Sequence, residues 1–527
     1  MDELIEQNYL PFQDGIDFDP INQTEHSHPW IVRLAVVDNQ VHGPAGAARS
    51  MLEYLTQTYG LPDLDFLYLQ QDGIGQQIPG GAPIFCSSKQ EWVSQGLYFV
   101  DWYTNMPHPS WDDMVLRINR VLSNLRWEDR RDLLIWRGST TDGYYDPGNW
   151  TSYTRGKLCA LSLRYPNLID ARFASICPFT CSDTQQVARY VPTAPLMSLE
   201  EQVHYKYQII CDGIFATFPG DRWRLLSDSV CFKPDSTFGQ WFYGALIPWT
   251  HYVPVKKDLS DLLEKFTYVK SNPSLARELA KNARDFALNS LLSKDIAVYC
   301  YKTLMKYASL QKFNVKEKRL VKLVEDSLKK AEKGESKLSP GVLSIDGMSG
   351  AQTRYLLNHL CSGPHVNYLE IGCWKGSTLI SALYGNQAQA TAIDNWSQFD
   401  NQRSAFYSNI GQFIPNARLN IYEEDCFSMD KAIIPPKVNV YFYDGNHAEK
   451  YQELAFTYFD DVFDDVFIAV IDDWNWERVQ RATRSVFKKL NYAILFEKSL
   501  LTDWNGNLGT WWNGIYIAVI KKSGSND

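Results

Sequence analysis

The stretch "YLEIGCWKGST" (368–378) reads as a buried strand that breaks at Gly372, turns, and opens a helix after Gly376. A strand, a glycine turn and a helix in that order bring backbone close to a ligand at the carboxyl end of a parallel sheet. The dinucleotide spacing G-x-G-x-x-G is absent: Glu370 precedes the glycines, and three residues separate Gly372 from Gly376. Two further acidic residues follow later strands. Asp394 ends "ATAID", 18 residues beyond Gly376, and Asp425 lies in "EEDCF". Around the turn, "VNYLEIGCWKGS", "QATAIDNW", "RLNIYEED", "KVNVYFYDGNH" and "VFIAVIDDWNW" are five strand candidates with helical stretches between most of them. The segment 343–527 is therefore expected to be a doubly wound α/β domain.

Two of those strands end in acid. "YFYDGNH" sets Asp444 at a strand end with His447 three residues later, and "AVIDDWNW" sets Asp472 and Asp473 at another. Strand ends of this kind converge on the ligand crevice of an open sheet. Three converging carboxylates repel one another unless a hard cation lies between them, so Asp444, Asp472 and Asp473 are expected to hold a divalent ion such as Mg²⁺. His447 is the candidate base.

A chain of 527 residues is too long for one ordinary domain. Its 45% hydrophobic and 21% charged residues exclude a mostly disordered protein, and its net charge of -9 gives no support to a nucleic-acid partner. The aromatic content of 14% suits sites that stack on rings. No run has the roughly 18 apolar residues of a spanning helix. The start, "MDELIEQNYL", lacks a basic and then apolar leader, which leads to the expectation of a cytosolic site of action. The ten cysteines are scattered, with Cys177 and Cys181 the one close pair, and read as reduced thiols rather than a zinc site.

In the first half, "WIVRLAVVDNQV", the helical "AARSMLEYLTQTYG" and "DLDFLYLQQD" suggest a parallel strand–helix–strand unit. A second round begins at "RRDLLIWRGS" and passes through the helical "YTRGKLCALSLRYP". The expected organisation is a first lobe over 1–135, a second over 136–265, and closing helices over 266–310, with Ser274 a candidate N-cap. The segment 311–342, lysine-rich and aromatic-free from Lys316 to Pro340, reads as a solvated helical linker.

The pattern of Glu370, Gly372, Gly376, Asp394 and Asp425 resembles class I S-adenosylmethionine-dependent methyltransferases. The resemblance implies that the glycine turn receives the cofactor, that Asp394 accepts hydrogen bonds from the ribose hydroxyls, and that Asp425 lies beside the adenine. With Asp444, Asp472 and Asp473 it is similar to metal-dependent sugar O-methyltransferases, in which the ion chelates vicinal sugar hydroxyls. Upstream, "LLIWRGSTTDG", "VHYKYQIICDGIFATF", "RWRLLSDSVCFK" and "WFYGALIPWTHYVPVKKDLSDLLE" resemble glycosyltransferase family 90, most densely from 61 to 308. That resemblance implies a GT-B pair of Rossmann-like lobes and inverting, metal-independent transfer from a nucleotide-sugar such as UDP-glucose or UDP-xylose to a glycan or protein acceptor. By the same resemblance Asp72 is the base. Arg222, Arg224 and Ser229 belong to the phosphate-facing segment, and Arg137, Gly138 and Ser139 help line the donor pocket. Gln240 departs from the family, since many members are acidic before "WFY". The combined expectation is a bifunctional enzyme that attaches and O-methylates sugar. The alternative is a methyltransferase for a non-sugar acceptor whose first half only binds glycan.

Overall fold

The computed structural model describes residues 1–101, 104, 110–363 and 365–523. Two compact units emerge, Met1–Phe313 and Asn314–Asp527. Among the described residues no helix is long and apolar enough to cross a membrane.

The first unit holds two five-stranded sheets. In the first sheet Ile31–Val37 pairs with Leu64–Leu69 antiparallel, so the expected parallel pairing of these strands does not form. The reason is local. Asp38 and Asn39 both take positive φ (50° and 61°), and Val37 pairs with Gln40 across this two-residue turn. The chain thus reverses into Gln40–His42 before the helix Ala47–Tyr59, and the crossover joins that short strand to Leu64–Leu69. Arg33 fixes the central pairing by gripping Asp65 with two hydrogen bonds of 2.7 Å.

The second sheet is wholly parallel, in the order Val253–Val255, Val230–Pro234, Tyr205–Ile209, Arg131–Ser139, Ile169–Ser175. Its first strand starts at Arg131, before the expected lobe boundary at 136. The helix Pro273–Ser290 begins on a proline after Asn272, so Ser274 lies inside the first turn rather than at the cap. Its apolar stripe is shared: Ala276, Leu279 and Ala280 enter the core of the parallel sheet, whereas Ala283 and Ala287 enter that of the first sheet. One amphipathic helix thereby belongs to both cores.

All five strands expected in the second unit form, and two more, Ala493–Leu500 and Ile515–Lys521, complete a seven-stranded sheet. Counted along the chain, the order is third, second, first, fourth, fifth, seventh, sixth. Ile515–Lys521 alone runs opposite to the other six strands. Register puts the carboxyl ends Tyr422, Ile393, Ile371, Tyr443 and Ile471 on one edge with Ile515 and Leu500.

The segment expected to be a solvated linker is instead part of this unit. Its helix Val315–Glu332 buries Val324, Leu328 and Ala331 in the core formed with Leu356, Leu357, Leu360 and the sheet. Their spacing of four and three residues marks the buried stripe, and the lysines occupy the remaining faces. Burying Val324 and Leu328 contributes about 3–6 kcal/mol, a large share of the ~5–15 kcal/mol that holds an ordinary domain. A fragment beginning at Asn314 is expected to show one cooperative thermal transition, whereas one beginning at residue 343 shows none. Equal melting of the two fragments would contradict the core role of the helix.

Candidate functional site

At the carboxyl edge of the parallel sheet in the first unit lies a cavity of about 410 Å³. Residues just beyond four strands and the start of a helix build it: Asp142, Tyr153, Lys157, Asp212, Phe238 and Lys257 are among its walls. Arg155 holds the edge together. Its guanidinium donates to the carbonyls of Ser139 (2.8 Å), Cys211 (2.9 Å) and Asp212 (2.7 Å), and to the Thr141 hydroxyl (2.6 Å). The Asp142 carboxylate accepts from the Arg155 backbone N–H at 2.8 Å and from the Tyr145 hydroxyl at 2.5 Å, which ties the loop to the first turn of the helix Thr154–Arg164. Asp212 leaves Oδ1 buried without a partner. Lys157 and Lys257 are the cationic walls of the cavity, set against Asp142, Asp212, Asp235 and Asp258.

Asp72 follows the strand Leu64–Leu69 in the other sheet of this unit. Its turn is tightly seated: a Cβ on Gly73 would meet the Ser88 carbonyl at 2.4 Å and the Phe215 ring at 2.7 Å. Phe215 packs at 5.2 Å on Phe238, which lines the cavity. Gly73, next to Asp72 in the chain, thus touches the aromatic ring that packs on the cavity wall. Asp72 is open to solvent, yet the surrounding protein crowds it enough to raise its carboxyl above the usual range.

The arginines named from sequence do not line the cavity. Arg222 is fully buried, pairs with Asp101 at 2.6 Å and lies over Trp111. Arg224 is buried over Trp223 and donates to the Gly220 carbonyl at 2.8 Å; burial lowers it to about 10. Arg137 is spent on Asp170, through the carbonyl and the carboxylate, both at 2.9 Å. Ser229 is buried and donates to the Tyr205 carbonyl at 2.8 Å. Gly138 packs against Trp136, and Ser139 presents its carbonyl to Arg155. These residues brace the sheet rather than converge on the cavity. Lys157 and Lys257, which do line it, were legible only as scattered lysines, although "YTRGKL" reads as a helix start at a strand's carboxyl end.

Gln240 is buried and donates to Asp221 Oδ2 at 2.5 Å, and Tyr243 donates to the same oxygen at 2.9 Å. Burial raises Asp221 to about 7. An acid at 240 would set a second carboxyl against it. Because the native state then holds a proton that the unfolded chain releases, stability falls as pH rises from the ordinary carboxylate range through the folded value. Gln240→Glu is accordingly expected to lower the melting temperature of the first unit more at about pH 8 than at about pH 5.5. An equal loss at both values, measured by calorimetry, would refute the pairing.

In the second unit, Gly372 and Gly376 both have φ of +84°, and a Cβ on Gly372 would meet the Asp444 carbonyl at 2.1 Å, so glycine is required there. Asp394 organises the turn: Oδ2 accepts from the N–H groups of Cys373 (2.7 Å) and Trp374 (2.8 Å), and Oδ1 from that of Trp396 (2.8 Å). Asp425 is exposed and accepts from the Phe427 N–H at 2.9 Å. Glu370, expected beside the cofactor, is instead fully buried between the hydroxyls of Tyr368 (2.5 Å) and Thr378 (2.7 Å), and burial raises it to about 7. It joins the strand to the helix rather than reaching a ligand.

Asp444, Asp472, Asp473 and His447 do come together. His447 Nε2 lies 3.4 Å from Asp444 Oδ1 and 3.5 Å from Asp473 Oδ2, while Asn513 donates to Asp473 Oδ1 at 2.6 Å. Asp472 Oδ1 and His447 Nδ1 are buried without partners. Burial first, and then the neighbouring carboxylates, push Asp444 and Asp472 well above the carboxylate range. The expected magnesium site is not built by this arrangement: among the described residues no three His, Cys, Asp or Glu side chains are disposed to hold a metal ion. The imidazole stands between Asp444 and Asp473, and the Asn513 amide takes the other oxygen of Asp473. All ten cysteines are free thiols, as expected.

This chain is similar to several known proteins. Rat protein O-glucosyltransferase 1 is 31% identical over 339 residues, covering 60% of this chain and 81% of its own length. Human protein O-glucosyltransferase 3 is 35% identical over 187 residues; the match spans 34% of this chain and only 36% of that relative. Drosophila melanogaster O-glucosyltransferase rumi is 29% identical over 273 residues, 49% of this chain and 62% of its own. Among solved structures, an O-methyltransferase from Bacillus cereus in complex with SAH covers 41% of this chain and 96% of its own, at 15% identity and a TM-score of 0.26. Residues 3–341 match the family described as "Glycosyl transferase family 90", a stretch that runs past the first unit and through the helix Val315–Glu332. The chain belongs to glycosyltransferase family 90.

Proposed function

We propose that the first unit is an inverting glycosyltransferase of GT-B type that moves a glucose-like or xylose-like sugar from a UDP-sugar to a hydroxyl of a protein or glycan. The observation that carries this reading is the cavity at the carboxyl edge of the parallel sheet, with Gly73, next to Asp72 in the chain, against the aromatic ring that packs on its wall. Asp72 takes the proton of the acceptor hydroxyl as that oxygen bonds to the anomeric carbon, and the nucleotide diphosphate leaves from the opposite face. Lys157 and Lys257 receive the diphosphate charge. The unpartnered oxygen of Asp212 and the carboxylate of Asp235 are placed to accept hydroxyls of the donor. The neutral Gln240, the best support for a first half without catalysis, lies against Asp221 and outside the cavity wall.

Purified protein incubated with a panel of nucleotide-sugars is expected to release nucleotide from at least one, and Asp72→Asn to reduce that rate by about 10²–10⁴. Release undiminished by this substitution would remove Asp72 from the mechanism. No release from any donor would sink the transferase reading.

The second unit is read as an S-adenosylmethionine-dependent O-methyltransferase acting on a sugar hydroxyl. What supports it is the turn in which Gly372 admits a close backbone approach and Asp394 stands at the neighbouring strand end. Bound there, S-adenosylmethionine supplies an electrophilic methyl group. The chain's own task is to orient the acceptor and remove its proton, for which His447, held between Asp444 and Asp473, is the base. Asp394→Ala is expected to weaken S-adenosylmethionine binding at least about tenfold by isothermal titration calorimetry, through lost ribose contacts and a loosened turn. Unchanged affinity would remove Asp394 from the cofactor site.

A further inference from the structure

The loop between the last two strands is the part of the second unit that no motif explains. Leu500 and Ile515 lie on the same sheet edge as Ile471, Tyr443 and Ile371, so the loop 501–514 emerges beside the carboxylate and imidazole cluster. It exposes Leu501, Trp504 and Leu508 at 60–63%. Three large apolar side chains within eight residues are unusual on a surface, and a solvated loop has no need of them.

The loop is nevertheless well anchored. Asn475 donates to the Thr502 carbonyl (3.1 Å) and to Asn505 Oδ1 (3.0 Å), and the helix Ala351–Leu360 donates to the carbonyls of Leu508 (2.8 Å) and Thr510 (3.1 Å). Asn513 supplies the connection to the chemistry: its Nδ2 donates to Asp473 at 2.6 Å while its Oδ1 accepts from the Gly506 N–H at 2.8 Å. Trp504 therefore sits on a braced support, two residues along the chain from an amide that is two hydrogen bonds away from the Asp473 carboxylate. Such bracing lowers the entropy lost when a ligand settles on it.

We infer that the loop 501–514 is the acceptor-binding element of the second unit, with Trp504 stacked on the apolar face of a glycoside ring whose hydroxyls meet His447, Asp444 and Asp473. This rests on reading the unit as a sugar O-methyltransferase and goes beyond it by naming where the ring lies. A pyranoside has one apolar C–H face and a rim of hydroxyls, and this sheet edge carries both kinds of partner: an exposed indole on the loop, and two carboxylates and an imidazole at the neighbouring strand ends. The family 90 unit on the same chain is one whose product is a glycoside.

The test uses the full chain saturated with S-adenosylhomocysteine and a photoreactive diazirine β-glucoside, with labelled peptides mapped by mass spectrometry. Label is expected within 501–513, competed by methyl β-D-glucopyranoside. At limiting probe it should fall about tenfold in Trp504→Ala and about two- to threefold in Trp504→Phe, in which a ring remains. S-adenosylhomocysteine affinity should be unchanged in both variants, a readout that misfolding would move; if only the alanine variant loses it, the phenylalanine variant decides. Intact affinity with no label on the loop, or with label undiminished by either substitution, overturns the inference alone. A wild-type chain without affinity for S-adenosylhomocysteine overturns the methyl-donor reading and the inference with it. Loop labelling competed by catechol and not by the glycoside overturns the sugar assignment while leaving the donor reading in place.

Discussion

Both candidate sites depend on the same constraint: backbone groups at the carboxyl ends of parallel strands have lost their ladder partners and must find others. In each unit one ionised side chain gathers them. Arg155 collects the carbonyls of Ser139, Cys211 and Asp212, and Asp394 collects the N–H groups of Cys373, Trp374 and Trp396. The two solutions are opposite in sign and equivalent in effect. A charged group accepting or donating several hydrogen bonds fixes a turn more firmly than a neutral one, and the turn is what shapes the crevice. Around Arg155 the strand-end loop is tied to the helix start through Asp142; around Asp394 the glycine turn remains open to a close backbone approach.

Packing carries these edges into register. The helix Pro273–Ser290 divides one apolar stripe between two cores, so the sheet that bears the cavity and the sheet that bears Asp72 share a common support. A shift of that helix by one residue would rotate its stripe by about 100° and withdraw it from both cores. In the second unit the helix Val315–Glu332 covers one face of the sheet with Val324, Leu328 and Ala331. The family match ends at residue 341, beyond this helix, so the segment matched by the family and the compact unit do not share a boundary.

Periodicity and turn chemistry made most of the strands legible, including all five expected around the glycine turn. What escaped depended on direction and partnership rather than on composition. The pair Asp38-Asn39 is a hairpin signal, but it lies within an apolar run and the strand was read straight through it, which gave the wrong sense to the pairing with Leu64–Leu69. The lysines of 315–332 drew the reading toward solvent, although a three- and four-residue apolar spacing lay beneath them. The phosphate-facing role of Arg222 is implied by the family resemblance alone. Its partner, Asp101, is 121 residues away in sequence, and no local pattern announces such a pair. The acidic strand ends did converge as read, but the same convergence brought His447 between Asp444 and Asp473 and Asn513 onto an oxygen of Asp473.

Three carboxyls in this protein illustrate why a raised proton affinity does not by itself mark a base. Burial moves Glu370 and Asp221 to about 7 and lifts Asp72 above its ordinary range, so the same physical cause acts on all three. Glu370 has Tyr368 and Thr378 on its oxygens, and Asp221 has Gln240, Tyr243 and the Arg222 N–H. Both are enclosed, and an acceptor hydroxyl reaching either would first have to displace those donors. Asp72 combines a raised proton affinity with access to solvent on a turn that Gly73 seats against Ser88 and Phe215. A base must be reachable before its affinity for a proton matters, and of these three carboxyls only Asp72 meets both conditions.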